Sequence, residues 1–410
     1  MGTRPARDAG PVMEGECAII RYTLTSAFGR GLVANRAGLV SGRSALSPHT
    51  LADGTPCMVG PVAGLKDVVM PAALARYDCR NNRLAQWALD ADGFTQAVAA
   101  AVRALGAEGV GVVIGTSTSG IAATEAAYRT PAFKELGALP ADFPYRETHN
   151  VFSCADFVRR YLNLKGPALV VSTACSSSAK AFATAARLIV SGVCRAVVVG
   201  GVDSLCDTTL YGFHALNLLS RAHPKPFGAD RDGIAIGEAA GFALMGPADL
   251  FGGSCRLHFA AAGDSADAYH MTAPHPEARG ACAAIGAALK GAGWQPGAVD
   301  YVHLHGTGTT HNDAAEDLAL VSMGLGAVPA SSTKGAIGHT LGAAGVCGVV
   351  FTAEAMAAGF LPGTANTRSP DPRFRSHLLL LGRPGPIHRA LVNTFGFGGS
   401  NCCLALEWRL

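Results

Sequence analysis

Short, continuous apolar runs rich in β-branched residues alternate with alanine-rich stretches of helical length along nearly the whole chain. A strand without a polar side cannot face water, so it must be covered on both faces, and the intervening helices supply that cover. The pattern predicts strands at 17–24, 110–115, 168–172, 196–201, 241–245, 257–263, 301–304 and 391–394. It predicts helices at 84–91, 93–105, 178–191, 276–292, 312–323 and 342–358. The fold class is α/β.

With 49% hydrophobic and 15% charged residues among 410, the chain must bury a large core. The best internal boundary falls near 246–254, in a Gly/Pro loop. It separates a half at 17–250 from a half at 251–410. Strands and helices alternate on both sides, which allows a duplication that residue-level similarity is too weak to establish. Residues 1–16 have no apolar segment and read as a flexible tail, not a signal peptide. The apolar stretch 335–353 holds His339 and several glycines, so it reads as a buried loop and helix and not as a membrane span. A net charge of +3 without a basic run argues against nucleic acid. The twelve cysteines are irregularly spaced and lack paired zinc-site spacing, which suits reduced thiols in the cytoplasm.

The sharpest local feature is Leu169-Val-Val-Ser-Thr-Ala-Cys175-Ser-Ser-Ser-Ala-Lys180. An apolar strand enters a turn of small residues, and a helix follows the cysteine. Helix N–H groups and the positive end of the dipole would favour the thiolate there. The setting resembles a nucleophile elbow. A buried structural cysteine is the alternative, and it suits the other eleven better.

Two histidines lie in glycine-rich loops. His305 belongs to His303-Leu-His-Gly-Thr-Gly-Thr-Thr310, directly after an apolar strand, and His339 follows Lys334 by five residues in Ser332-Thr-Lys-Gly-Ala-Ile-Gly-His339. A zinc site would need three or four ligands at characteristic spacing, which are lacking. A cysteine–histidine protease would orient its base with Asn or Asp, whereas the second partner here is another histidine.

Taken in order, these segments resemble the β-ketoacyl synthases of the thiolase superfamily, from about Cys17 to the C-terminus. The matching segments are Thr173-Ala-Cys-Ser-Ser, Pro226-Phe-Gly-Ala-Asp-Arg-Asp-Gly-Ile-Ala-Ile-Gly-Glu238, Asp267-Ala-Tyr-His-Met-Thr272 and His305-Gly-Thr-Gly-Thr. They continue with Ser332-Thr-Lys, Gly338-His-Thr-Leu-Gly-Ala-Ala-Gly345 and Asn393-Thr-Phe-Gly-Phe-Gly-Gly-Ser-Asn401.

The resemblance implies a thiolase fold: a duplicated five-layer αβαβα sandwich, normally dimeric, with the nucleophile in one half and the histidines in the other. It implies no metal or resident cofactor, the substrates being carried on the phosphopantetheine of an acyl carrier protein. Cys175 would take the acyl chain, with the N–H groups of Cys175 and Phe397 as oxyanion hole. His305 and His339 would hold the malonyl thioester while carbon dioxide leaves, supported by Lys334. Thr272, Thr307 and Thr309 would bind the pantetheine arm. Phe397 would gate the site and Phe213 line the acyl pocket, with Asp313 and Glu316 as structural hydrogen-bonders.

Two relatives of that chemistry fit less well. A chain-length-factor-like partner subunit loses the nucleophile, and a coenzyme A thiolase uses Cys-His-Cys. Segments 200–205 and 231–240 are similar to synthases of the aryl polyene type, whose partner would be a second copy or a related subunit. The chain also departs from the family. Position 348, usually glutamate, is Gly348, and position 303, often asparagine, is His303. Lys334 then needs another carboxylate, a backbone carbonyl or water, and of the acids Glu316 is favoured over Glu354. A basic carrier-docking patch is expected from Arg76, Arg80, Arg129 and Lys134.

Overall fold

The computed structural model describes residues 17–250 and 255–409. The tail expected at 1–16 and the boundary residues 251–254 lie outside the described residues.

The strand topology reveals a duplication. In the first half, Cys17–Ser26, Val110–Gly115, Ala168–Val171, Ala196–Asp203 and Ala239–Gly246 lie side by side in the order third, second, fourth, fifth, first. In the second half, Leu257–Ala266, Tyr301–His303, Ala330–Ser331, Arg389–Gly396 and Ser400–Trp408 repeat that order. The sense of pairing repeats as well. The second strand runs parallel to the third and fourth, and the fifth runs antiparallel to the fourth and first. The halves meet through a short antiparallel contact, Cys17 opposite Phe259 and Ala18 opposite His258.

Five layers follow from where the helices pack. Helices Ser177–Val190 and Ala344–Ala358 occupy the middle, where Ala179, Phe182, Val346 and Val349 share one core with Val199 and Leu404 of the two sets of strands. Outside the first half, helices Arg80–Leu89, Phe94–Leu105 and Ser153–Tyr161 press Leu84, Phe94 and Phe157 onto Val112 and Val198. Outside the second, Arg279–Ala292 and Thr310–Ser322 press Ile285 and Leu320 onto Val302 and Leu391. The stretch Leu341–Ala358 is long and apolar enough to cross a membrane, but 89% of it is buried between the layers.

The expected strands and helices all form, with ends shifted by a few residues. The strand Ser400–Trp408 was not expected, because its cysteines, leucines and alanine carry no β-branched signal. Helices Gly31–Ser41, Ile121–Tyr128, Ser153–Tyr161 and Asp207–Ala215 were also not expected, being short segments that tertiary packing stabilises.

Candidate active site

Cys175 sits where strand Ala168–Val171 turns toward helix Ser177–Val190. The turn is made at Ala174, whose φ of 51° is left-handed, a conformation costing a residue with a Cβ on the order of 1 kcal/mol. The Ser176 and Ser177 N–H groups bond to the carbonyls of Thr173 and Ala174, at 3.3 and 3.1 Å. These donors close the elbow on itself and are not aimed at the sulfur. Burial is the largest influence on the thiol and pushes it up, against the Phe397 N–H, the Lys334 charge and the Cys175 N–H. The elbow's own donors therefore do not supply the pull toward the thiolate expected of a helix N-terminus, and desolvation works against it.

His339 places Nε2 3.0 Å from the Cys175 sulfur. Its Nδ1 accepts from the Leu341 N–H at 3.1 Å, so in the neutral ring the proton is on Nε2 and points at the sulfur. His305 reaches the same arrangement by another route. Lys334 Nζ lies 3.4 Å from His305 Nδ1 and also donates to the His305 carbonyl. An ammonium can only donate, so Nδ1 accepts and Nε2 keeps its proton. The two rings stand 5.4 Å apart at 85°, and the sulfur and one nitrogen of each ring lie within 4.8 Å of one another. Burial first, and then the Lys334 charge, hold both imidazoles well below the ordinary histidine range. The site is thus two neutral N–H donors converging on a cysteine.

The Beta-ketoacyl synthase N-terminal domain matches residues 79–249, and its C-terminal domain matches residues 258–368. A 3-oxoacyl-[acyl-carrier-protein] synthase 2 of Synechocystis is 32% identical over 395 residues, spanning 90% of this chain and 92% of that protein. The chain belongs to the β-ketoacyl synthase family. Another synthase 2, from Rhizobium meliloti, is 38% identical over 259 residues, and the match spans 60% of this chain and 61% of that protein. A ketosynthase solved in complex with its chain length factor, from Xenorhabdus doucetiae, superposes with a TM-score of 0.89 at 34% identity, covering all of both chains.

In this β-ketoacyl synthase the acids behind the histidines hold backbone. Glu316 accepts from the His305 and Gly306 N–H groups at 2.8 and 2.7 Å and from Asn393 Nδ2 at 3.1 Å. Asp313 accepts from the N–H groups of Phe227, Thr307 and Gly308. Of the partners expected for Lys334, the backbone carbonyl of His305 takes the hydrogen bond, since both Glu316 oxygens are taken up by the loop, while Glu316 still leads the charges that favour the ammonium. Glu354 binds Arg36 at 2.6 Å and Tyr22 at 3.0 Å instead.

A cavity of about 460 Å³ opens onto Cys175, His305 and His339. Thr272, Thr307 and Thr309 line it, and so do Phe213 and Phe397, whose rings lie 5.4 Å apart. The residues expected at the carrier-docking surface lie outside this cavity. Arg80 forms a two-point salt bridge to the fully buried Glu238, Arg129 pairs with Asp207, and Arg76 lies 3.5 Å from Glu147. None of these arginines, nor Lys134, lines the cavity. Sequence reasoning missed Asp203, a fully buried carboxylate at the end of its strand, and Arg231, buried against Asp371. The signal of Asp203 in the sequence was its place at the end of an apolar run, inside segment 200–205, and it carried no role for the side chain.

Proposed function

We propose that this chain catalyses the decarboxylative condensation of a malonyl thioester with an acyl group held on Cys175, both delivered by an acyl carrier protein. The observation that carries the reading is the pair of neutral Nε2–H donors converging on the thiol. Such donors suit an enolate formed near neutral pH, since imidazolium would trap it as the enol.

The positions of the site residues support the following roles. The Cys175 sulfur attacks the acyl thioester, the Phe397 and Cys175 N–H groups hold the oxyanion, and the pantetheine leaves as a thiol carrying the proton. The malonyl thioester then places its carbonyl oxygen between His305 and His339. The bond to the carboxylate breaks, carbon dioxide leaves, and its electron pair becomes the enolate. The enolate carbon attacks the acyl carbonyl, the bond to Cys175 breaks, and the thiolate takes up one proton. Lys334 keeps the His305 tautomer. Thr272, Thr307 and Thr309 offer hydroxyls to the pantetheine arm, while Phe213 and Phe397 must part to admit an acyl chain.

The ammonium of Lys334 beside the cluster opposes a bound cation, which supports a reading without metal or resident cofactor. A polyketide setting of the aryl polyene type, with a chain-length-factor-like partner, is supported by the full-length likeness to the Xenorhabdus ketosynthase. Strand Ala168–Val171 is an edge strand with Leu169 39% exposed, which suits pairing with a second copy or a related subunit. Twelve free cysteines suit a cytoplasmic site. Incubation with acyl- and malonyl-carrier protein, followed by intact-mass analysis, tests the reading. It expects acylated Cys175 and a carrier-bound β-ketoacyl product; a product lacking the decarboxylation mass loss contradicts it.

A further inference from the structure

The carboxylate of Asp203 is fully buried at the C-terminal end of strand Ala196–Asp203 and is surrounded by donors. From the first half, Thr116 Oγ1 donates at 2.7 Å, the Ser117 and Thr118 N–H groups at 2.9 Å, Thr118 Oγ1 at 2.8 Å, and the Ser117 hydroxyl as well. From the second half, the Gly342 N–H donates at 2.6 Å. A Cβ at Gly342 would meet Asp203 Oδ2 at 2.7 Å and Ser117 N at 2.9 Å, so only glycine permits this approach.

Gly342 follows Leu341, whose N–H donates to His339 Nδ1 and whose φ of 52° is left-handed. A residue with a Cβ keeps that conformation only where its surroundings hold it, and the Gly342 N–H clasped by Asp203 is the adjacent fixed point. A chain of contacts thus runs from Asp203 through Gly342 and Leu341 to the ring nitrogen opposite the one facing Cys175. We propose that Asp203 is a positioning residue for the condensation: by clasping Gly342 it holds the Leu341 turn, whose N–H keeps the His339 proton on Nε2. This rests on the proposed function for its effect on rate, but not for its effect on the tautomer.

The donor count says why a carboxylate is needed. Backbone N–H groups cannot turn away, and an amide in this place would set its own NH2 against at least one of them. Asp203→Asn therefore keeps the size of the side chain and loosens the turn. The negative charge of Asp203 also opposes the Cys175 thiolate, so its removal should leave the sulfur at least as reactive.

The test combines three readings on Asp203→Asn and on the milder Ser117→Ala, whose hydroxyl bonds both Asp203 and the Gly342 N–H. Nitrogen-15 NMR of histidine-labelled protein, with the His339 signals assigned by their loss in His339→Ala, should show Nε2–H in the unaltered protein. In Asp203→Asn the Nδ1–H form should appear, and in Ser117→Ala the same change in smaller proportion. Carbon dioxide release from malonyl-carrier protein should fall about 10–100-fold in Asp203→Asn, the scale of one misplaced donor. Iodoacetamide alkylation of Cys175 should be unchanged or faster. If Asp203→Asn does not fold, Ser117→Ala carries the test alone. An unchanged His339 tautomer in the folded variant overturns the proposal, whatever happens to rate or melting temperature. Absence of carbon dioxide release from the unaltered protein would instead count against the proposed function and leave the tautomer reading standing.

Discussion

Gly348 makes room for His303. A Cβ at position 348 would stand 3.1 Å from His303 Nδ1 and 2.6 Å from Val392 Cγ1. A side chain at position 348 would press on Val392 as well as on the imidazole, so the helix approaches this strand closely because glycine stands there. His303 Nε2 bonds Thr333 Oγ1 at 3.1 Å and so braces the segment carrying Lys334.

From this packing, Gly348→Glu alone is expected to abolish condensation and lower the melting temperature, because the space is filled. The double variant His303→Asn with Gly348→Glu should recover part of both losses. Thermal melts and condensation rates of the singles and the double measure the coupling. Additive losses in the double would contradict the coupling.

Glu316→Gln should reduce condensation about 10–100-fold, because the amide turns a donor toward one of the buried N–H groups of His305 or Gly306. Loading of Cys175, measured by intact mass, should survive. A fully active variant would remove Glu316 from the account.

Arg80→Ala should act on stability and not on carrier recruitment. It leaves Glu238 buried and partly unpaired, at a cost of about 1–3 kcal/mol once the partial exposure of Arg80 is allowed for. The salt dependence of loading should match that of the unaltered protein. A flattened salt dependence would return Arg80 to the docking surface.

Stability should fall as pH drops below 6.5. Burial, then the Lys334 charge, depresses His303 to about 3, and His305 and His339 lie well below their ordinary value. Each contribution is fully present above 6.5. It is lost as the unfolded chain takes up a proton that the folded ring refuses, at up to about 1.4 kcal/mol per pH unit per group. Glu316, raised to about 7 by burial, works the other way between 4.5 and 7, and Asp313, also raised by burial, works in the same sense above 3.8, but two carboxyls do not offset three imidazoles. Urea unfolding from pH 7 to 5 should show this slope, and His303→Asn should make it shallower. An unaltered slope in that variant would contradict the buried neutral state of His303.

The elbow, the two histidine loops and most strands were legible because each carries a local mark: a β-branched run, a glycine needed at a tight turn, a small residue beside a nucleophile. What was not legible came from distant contacts. Asp203 draws its meaning from Thr116–Thr118 and Gly342, far away in sequence, and Lys334 meets a carbonyl that no side-chain pattern encodes. The duplication was likewise visible in strand order and not in residues, because many apolar sequences satisfy the same buried sheet.

The most direct test of the central claim compares Cys175→Ala, His305→Ala and His339→Ala for acyl loading and carbon dioxide release. Cys175→Ala should lose both loading and condensation. Each histidine variant should still acylate Cys175 by intact mass, yet release carbon dioxide from malonyl-carrier protein about 100-fold more slowly, as expected when one of two paired donors is removed. Undiminished carbon dioxide release from either histidine variant, or acylation on another cysteine with turnover preserved, would contradict the account.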